Sequence, residues 1–255
     1  MVAALVAHLP TLAPDLRFRL LVSPHAPGPL SAAQNVEHVE VRASPNGPGT
    51  MWWLPRIADL RGVDLFHATF NIMPAGLDMP CITTIHDLMW LERPDWCDSS
   101  RYQPIRRAFF MNGITRALAR SASIATVSEA TRDAVIANWP IARARTFVTP
   151  SGVSNAFQPA LVDPSVLAAL GLTPGRRFVL TVGQFAPYKN HAGALRAFAL
   201  ASAGRNDIDL VFVQRQGDGA NTLLALAEKL GVRFRIPLEK RIEGAALVVT
   251  VIGHV

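Results

Sequence analysis

Short apolar runs of strand type alternate with amphipathic helical stretches along most of this chain, and this alternation constrains its fold more than any other feature. Strand-like runs are FRLLV near 18, VEHVEV near 36, DLFHAT at 64, CITTIHD at 81, SIATVS at 123 and RTFVTP at 145. Helical stretches lie between them, at MWWLPRIADL (51), the basic segment 101–122 and EATRDAVIANW (129). Such alternation predicts a doubly wound α/β architecture.

The segment TPSGVSNAFQPALVDPS at 149–165 has no helical or strand period and is typical of a linker. A second series follows it: RFVLTVG, a helix over 190–203, DIDLVFVQ, a helix over 220–230 and a short strand near 232. We therefore expect a Rossmann-like domain over 1–150, a linker over 151–175 and a partial second Rossmann-like domain over 176–255. The chain begins inside an apparent helix rather than a strand, and the second series stops after about three strands. We therefore expect either a chain that is cut at both ends, with its first strand missing, or a diverged remnant.

Half of the 255 residues are hydrophobic, which is ample material for a core, while the net charge is +6. The basic balance fits an acidic partner: a phosphorylated substrate, an anionic membrane or nucleic acid. Nucleic acid binding has no support beyond charge, because zinc-ligand pairs, a Walker loop and an aromatic RNA-binding signature are all absent from the sequence. Without a signal peptide pattern or a bilayer-length apolar run, we expect a cytoplasmic protein in which Cys81 and Cys97 are reduced.

The segment RYQPIRRAFFMNGITRALARSA at 101–122 interleaves arginines with apolar residues at helical spacing and predicts a basic amphipathic helix. Two interpretations stay open. The favoured one is a surface helix with one solvated face and one core face. The other is a helix that lies on a membrane, which would place the protein peripherally at the inner membrane face.

The stretch FVLTVGQFAPYKNHAGALRAFALA at 178–201 reads as strand, loop and helix, with a turn at Gly183. In a parallel sheet such a loop lies at the carboxyl edge, next to a helix N-terminus whose N–H groups attract phosphate. The sequence therefore predicts an anion site with the charge of Lys189 held over it.

Four segments together resemble glycosyltransferase family 4, whose members have the GT-B fold. They are TTIHDLMWLERPDW (83–96), TVSEATRDAV (126–135), TPSGVSNAFQP (149–159) and VLTVGQFAPYKNHAGALRAFA (179–199). The resemblance covers roughly residues 50–230, and the order and separations of the segments also match. It implies two Rossmann-like doubly wound domains, the second of them incomplete.

The resemblance also implies an activity. A retaining enzyme would transfer a hexose such as mannose from a nucleotide-diphosphate sugar, GDP-mannose or a UDP-sugar, to a hydroxyl acceptor. The acceptor would be a glycan or a lipid-linked glycan in polysaccharide or lipopolysaccharide biosynthesis. Neither a metal nor another cofactor is expected, because this fold holds the leaving diphosphate with basic side chains and a helix N-terminus, and no nucleic acid partner is expected.

By the same resemblance, the donor diphosphate would be bound at Gly183, Gln184, Lys189 and Arg215. Lys189 falls on the family's lysine. The family often has an arginine where this chain has Gln184, and Arg215, at the end of the next strand, is the candidate for the second charge. A further departure is that no two glutamates have the family's E-x7-E spacing, Glu239 and Glu243 being the last acids. These departures keep open the alternative of a catalytically incompetent fragment that retains a Rossmann-like core.

His86 and Asp87 follow a strand at the predicted ligand edge and are the candidate catalytic residues, bordering a donor cleft together with the basic residues above. The alternative is that Asp87 caps a turn and His86 is a satisfied core residue. His67 and Asn71, at another strand end, are candidates to line the acceptor cleft.

Other polar and aromatic residues have simpler explanations. Ser128 and Glu129 are expected to cap a helix, and the D-x-D string at 207–209 is expected to be a solvated turn. We expect the tryptophans Trp52, Trp53 and Trp90 in core or domain-interface packing rather than as platforms for a sugar.

Overall fold

A computed structural model describes residues 2–26, 28–98, 100–159, 161, 163–169, 172–173, 175–215, 218–242 and 245–253. The chain divides into two compact units, 1–155 and 156–255. The division falls inside the segment 151–175 that the sequence predicts as a linker. Within the described residues, no helix is both long and apolar enough to cross a membrane.

The first unit contains strands that closely follow the predicted runs. They are β1 (Phe18–Val22), β2 (Val36–Glu40), β3 (Phe66–Ala68), β4 (Cys81–Ile85), β5 (Ser123–Thr126) and β6 (Thr146–Val148). Its helices are α1 (Val2–Leu12), α2 (Pro48–Trp52), α3 (Leu54–Ile57), α4 (Met89–Glu92), α5 (Pro94–Cys97), α6 (Gln103–Arg120) and α7 (Glu129–Asn138), with a 3-10 helix at Pro140–Arg145.

The helix predicted at 51–60 is divided in the structure. α2 ends at Trp52 and α3 begins at Leu54, so Trp53 separates them. Pro55 lacks an N–H group and restricts the backbone of the residue before it, which interrupts a continuous helix at this point.

The strands of the first unit form two parallel sheets. β1 pairs with β2, and the larger sheet has the order β3-β4-β5-β6 with every neighbouring pair parallel. In the register of the larger sheet, Ala68 pairs with Thr83 and Ile85 pairs with Thr126. The carboxyl ends of β3, β4 and β5 therefore meet at one edge, where a doubly wound fold presents its ligand-binding residues.

Helix α6 covers this sheet with its second half, where Gly113, Ile114, Ala117 and Leu118 are buried. A Cβ on Gly113 would lie 2.6 Å from the Cβ of Ile72 and 2.6 Å from the Cε of Met51. Glycine is therefore required for the close approach of α6 to the segment after β3.

Arg145 binds the C-terminal end of α6. Its guanidinium donates to the carbonyls of Leu118, at 2.6 Å, and of Ser121. These contacts satisfy carbonyl groups that are left free at the helix end.

The second unit contains α8 (Pro164–Ala169), β7 (Arg177–Val182), a 3-10 helix (Pro187–Lys189), α9 (His191–Ala201), β8 (Ile208–Arg215), α10 (Asp218–Lys229), β9 (Arg233–Ile242) and β10 (Ala245–Gly253). Short helix α8 lies in the predicted linker and begins at an Asp-Pro pair, where the Asp163 carboxylate accepts the Ser165 N–H at 2.8 Å. Pro at the first helical position and a capping Asp favour a helix start here.

The sheet of the second unit has the order β7-β8-β10-β9. β7 and β8 are parallel and joined through α9, as the sequence predicts, whereas β10 is antiparallel to both β8 and β9. Only residues 243 and 244 separate β9 from β10, and so short a connection can join antiparallel strands but not parallel ones. This unit therefore combines a βαβ element with a hairpin. Its core includes Leu195, Phe198, Leu210, Phe212 and Leu223.

The prediction of a solvated turn at 207–209 is right for Asp207 and wrong for Asp209. Asp207 is exposed and pairs with Arg205 at 2.9 Å and with Arg177. Asp209 is buried and forms an ion pair with Arg176, whose Nε lies 2.9 Å from its Oδ1. A buried carboxylate needs a charged or hydrogen-bonding partner, which Arg176 provides.

Candidate functional site

The carboxyl edge of the larger sheet brings together three of the residues singled out from the sequence: His67, Asn71 and His86. His67 lies in β3, and its Nε2 is 2.9 Å from the Oγ1 of Thr84 in β4. Although His67 is exposed as a residue, its ring lies against β4, and desolvation lowers the pKa of the imidazole below its ordinary value.

Asn71 binds the backbone at the end of β4. Its side-chain Oδ1 accepts the His86 N–H at 2.7 Å, and its own N–H donates to the Thr84 carbonyl at 2.9 Å. Asn71 is only 2 % exposed and has a left-handed φ of 30°, a conformation that asparagine tolerates better than most residues. The structure thus gives Asn71 a contact that fixes the position of His86.

The carbonyl on the other side of His86 is bound by helix α7. Thr131 Oγ1 donates to the His86 carbonyl at 3.1 Å. Because that hydroxyl has only one proton, the 3.0 Å contact between Ser128 Oγ and Thr131 Oγ1 must be donated by Ser128. Ser128 also accepts the Thr131 N–H at 3.2 Å, which confirms the predicted helix cap.

The His86 ring is fixed as well. Its Nε2 lies 3.0 Å from the Thr69 carbonyl, and its ring centroid is 5.3 Å from that of Phe70. A carbonyl oxygen only accepts, so Nε2 carries the proton, and in the neutral ring Nδ1 is then the acceptor nitrogen. His86 is half-buried, and both its backbone groups and its ring are held by neighbouring segments.

Asp87 makes the contact expected of a turn cap. Its Oδ1 accepts the Met89 N–H at 3.1 Å, at the start of α4.

The nearby Cys97 is a free thiol, and burial, together with the charges of Asp87, Asp95 and Asp98, raises its pKa to about 11. Cys97 is thus a thiol and not a thiolate at neutral pH.

In the second unit, Lys189 lies over Gly183. A Cβ placed on Gly183 would be 3.7 Å from both the Cδ and the Cε of Lys189, and Gly183 has a φ of 149° that favours glycine. The Lys189 Nζ is 5.1 Å from the centroid of the Tyr188 ring, and the Tyr188 hydroxyl accepts from Gln184 Nε2 at 3.3 Å. The predicted residues of this loop are therefore neighbours in the structure.

Asn190 caps α9 directly after Lys189. Its Oδ1 accepts the Gly193 N–H at 3.2 Å. The sequence predicts that N–H groups at the start of α9 bind phosphate, and in the structure one of these groups is already bound by Asn190.

Arg215 is the last residue of β8, two positions beyond Val213, which pairs with Val182 at the end of β7. The Arg215 backbone thus reaches the same edge as Gly183, while its side chain lies outside the described part of the structure. Glu243 also lies outside the described residues.

Among the residues that the structure describes, no group of three or more His, Cys, Asp or Glu side chains is placed to hold a metal ion.

Rossmann-like ligand-binding domains have parallel strands flanked by helices, with polar side chains at the carboxyl edge of the sheet, and the first unit has this arrangement. The family model described as Glycosyltransferase Family 4 matches residues 4–157, which is more than half of the chain. The chain therefore belongs to glycosyltransferase family 4, an assignment that fits the mixed α/β architecture of a GT-B N-terminal domain. A comparison with curated proteins found no match.

Thr131 is the residue that sequence reasoning missed. It lies 45 positions from His86 in the chain, and inside a helix-start segment its hydroxyl has an obvious local partner in Ser128. The sequence predicts Asn71 as a candidate to line the acceptor cleft, and does not predict its contact with the His86 N–H. Neither the positive φ of Asn71 nor the direction of its side chain toward the end of β4 can be recognised from the sequence.

Proposed function

We propose that this chain transfers a hexose, such as mannose, from a nucleotide-diphosphate sugar to a hydroxyl acceptor with retention of the anomeric configuration. GDP-mannose or a UDP-sugar is the proposed donor. A glycan or lipid-linked glycan in polysaccharide or lipopolysaccharide biosynthesis is the proposed acceptor, and the cytoplasm is the proposed compartment. The observation that carries the proposal is the family match over 4–157, which covers the unit that contains His86.

The donor diphosphate is assigned to the loop between β7 and α9. When the glycosidic bond to the donor breaks, negative charge develops on the leaving diphosphate, and a fixed cation stabilises that charge. Lys189 is the candidate for this role because its stem rests against Gly183, which orders the side chain while its ammonium group stays exposed. Gln184 would add neutral hydrogen bonding, and Arg215 would add a second positive charge.

The acceptor and the transferred sugar are assigned to the carboxyl edge of the first unit. With Nε2–H directed to the Thr69 carbonyl, the Nδ1 of His86 is an acceptor suited to a sugar or acceptor hydroxyl. His67 lies on the neighbouring strand and would contact the acceptor. Asp87 keeps its second carboxylate oxygen for a hydroxyl while its Oδ1 holds Met89.

The alternative is a catalytically incompetent fragment that keeps a Rossmann-like core and binds a nucleotide weakly or not at all. Two observations favour it: the capping contact of Asp87, and Gln184 at the position where the family often has an arginine. The two proposals differ first in nucleotide binding.

Calorimetric titration of the 255-residue chain with UDP and with GDP separates them. The transferase proposal expects saturable binding of one nucleotide, weakened by about 1 to 3 kcal/mol in Lys189→Ala, because a charge-assisted contact is lost. Lys229→Ala is the matched control, since Lys229 is an exposed lysine at the end of α10 in the same unit. An absence of heat with both nucleotides at millimolar concentration supports the alternative. If Lys189→Ala and Lys229→Ala weaken nucleotide binding equally, Lys189 does not bind the diphosphate.

A further inference from the structure

Two tryptophans expose apolar surface on the first unit. Trp52 and Trp53 are 37 % and 47 % exposed, so the prediction that they pack in the core is wrong, whereas Trp90 does pack against the core. The ring of Trp52 is 5.4 Å from that of Phe109, and its indole N–H donates to Asn112 at 3.2 Å. These contacts hold the ring within its own unit and indicate no particular ligand. A strand edge in the second unit exposes apolar surface of a more specific kind.

Strand β7 forms one edge of the sheet in the second unit. In the strand order β7-β8-β10-β9, its neighbour among the described strands is β8. An edge strand directs a row of backbone N–H and C=O groups away from its sheet, and another strand can pair with them. The outer edge of β7 is therefore a site where a strand can be added.

The side chains of β7 are apolar and exposed on both faces of the sheet. Phe178, Leu180 and Val182 lie on one face and are 39 %, 54 % and 65 % exposed, while Val179 on the other face is 47 % exposed. Strands of an α/β unit are normally covered on both faces. β7 thus presents apolar surface together with its open backbone edge.

The described core clusters on both faces of this sheet centre on the neighbouring strand instead. Leu210 and Phe212 of β8 pack with helix α9, and Val211, which points to the opposite face, packs with Leu172. None of these clusters includes a residue of β7. The exposure of β7 therefore follows from the position of its covering elements over β8.

The two edges of the sheet differ in their protection against pairing. The five residues Phe178–Val182 include no charge, proline or glycine. At the opposite edge, β9 has the sequence RFRIPLEKRI, with four basic residues, a glutamate and a proline. Charged residues and proline are the means by which edge strands avoid pairing with other chains. The sheet is protected at β9 and open at β7.

We propose that β7 pairs antiparallel with β7 of a second copy of this chain, which joins the two four-stranded sheets into one. A two-fold axis through Leu180 places this residue opposite its own copy and places Phe178 opposite Val182. The three exposed side chains of one face then form a continuous apolar stripe across the strand pair. Because the strand is complementary to itself in this register, a second copy is the partner that it fits.

The same register keeps like charges apart. Arg177 lies opposite Gly183 of the second copy, so the two Arg177 residues lie about 20 Å apart along the strands. Arg177 also forms an ion pair with Asp207 of its own copy. The dimer uses both β7 edges and leaves β9 at each outer edge, so assembly stops at two copies.

Sedimentation velocity of the full chain tests the proposal. Between about 1 and 100 µM, the 27.6 kDa monomer should give way to a species of twice that mass. Leu180→Lys and Leu180→Glu each place like charges opposite one another and should raise the dissociation constant of the dimer at least about tenfold. Circular dichroism and urea unfolding establish that each variant is folded before it is compared.

Mixing variants tests the register itself. Leu180→Lys mixed with Leu180→Glu places an ammonium group opposite a carboxylate, so the mixture should form a heterodimer although each variant alone stays monomeric. Leu180→Lys mixed with Val179→Glu is the matched control. Its two charges lie on opposite faces of the sheet, and this mixture should stay monomeric.

Phe147→Lys and Trp53→Lys test the other exposed apolar positions, on the edge strand β6 and beside α2, and both variants should dimerise like the unaltered chain. The proposal is overturned if the chain stays monomeric over the whole range, if it forms open-ended polymers, if the mixture of Leu180 variants does not dimerise, or if either of these two variants abolishes the dimer. The apolar stripe includes no residue assigned to the donor, so the dimer does not rest on the proposed transferase function and a negative nucleotide titration leaves it unaffected.

Discussion

The Oδ1 of Asn71 lies 2.7 Å from the backbone nitrogen of His86 and joins the segment after β3 to the end of β4. Because Asn71 is buried and donates its own N–H to Thr84, the two strand ends are tied by both a side-chain and a backbone contact. With Thr131 on the other side, the peptide groups that flank His86 are fixed from two elements.

Replacing Asn71 by glycine should destabilise the protein by about 1 to 3 kcal/mol, because the His86 N–H loses its acceptor in a part-buried site while the backbone conformation stays allowed. Urea unfolding measures the loss, and amide exchange at His86 should accelerate. Asn46→Gly is the matched control: Asn46 also has a positive φ, 54°, but is exposed, so its change should stay within a few tenths of a kcal/mol. Equal effects at both positions would show that the Asn71 contact contributes nothing.

Thr131→Val should leave the His86 carbonyl without its hydroxyl donor, for a loss of about 0.5 to 1.5 kcal/mol. Thr131→Ser keeps the donor and should stay close to the unaltered protein. Thermal unfolding of the two variants gives the comparison. If Ser and Val variants unfold alike, the hydroxyl is not holding His86, and the methyl group or helix propensity explains the change.

The stability of the protein should fall as the pH drops below the ordinary histidine value of 6.5, in part through His67. Desolvation lowers the pKa of His67 in the folded state, so the unfolded chain takes up the proton first; the contribution is fully present above pH 6.5 and decreases as the pH falls toward the folded pKa. His67→Gln should flatten this part of the dependence between about pH 7.5 and 5.5. An NMR titration that placed the His67 pKa above 6.5 would contradict the prediction.

Gly113→Ala should destabilise the protein by about 1 to 3 kcal/mol, because the new methyl group would enter the space of Ile72 and Met51. Helix propensity alone predicts the opposite, a gain of up to about 1 kcal/mol. Ala108→Gly at an exposed position of α6 tests propensity separately and should cost about 1 kcal/mol. A stabilised Gly113→Ala variant would mean that α6 does not approach this segment as closely as the structure has it.

The order of strands and helices in this protein was readable from the sequence because it depends on local patterns. Apolar runs at 66–68, 81–85 and 123–126 form parallel strands, and Ser128 caps α7 as its residue type suggests. The same local patterns predict that His86 and Lys189 follow the ends of strands, because strands, loops and helices depend mainly on neighbouring residues.

Long-range contacts decided what the sequence left open. That Asn71 is turned inward to His86, that Thr131 reaches the same residue from α7, and that Asp209 is buried beside Arg176 all depend on residues 15 to 45 positions apart. The pairing of β10 between β8 and β9 and the exposure of Trp52 and Trp53 are likewise results of packing. Periodicity and capping describe each segment alone, whereas burial and hydrogen-bond partners are set by which segments meet, and only the folded structure determines that.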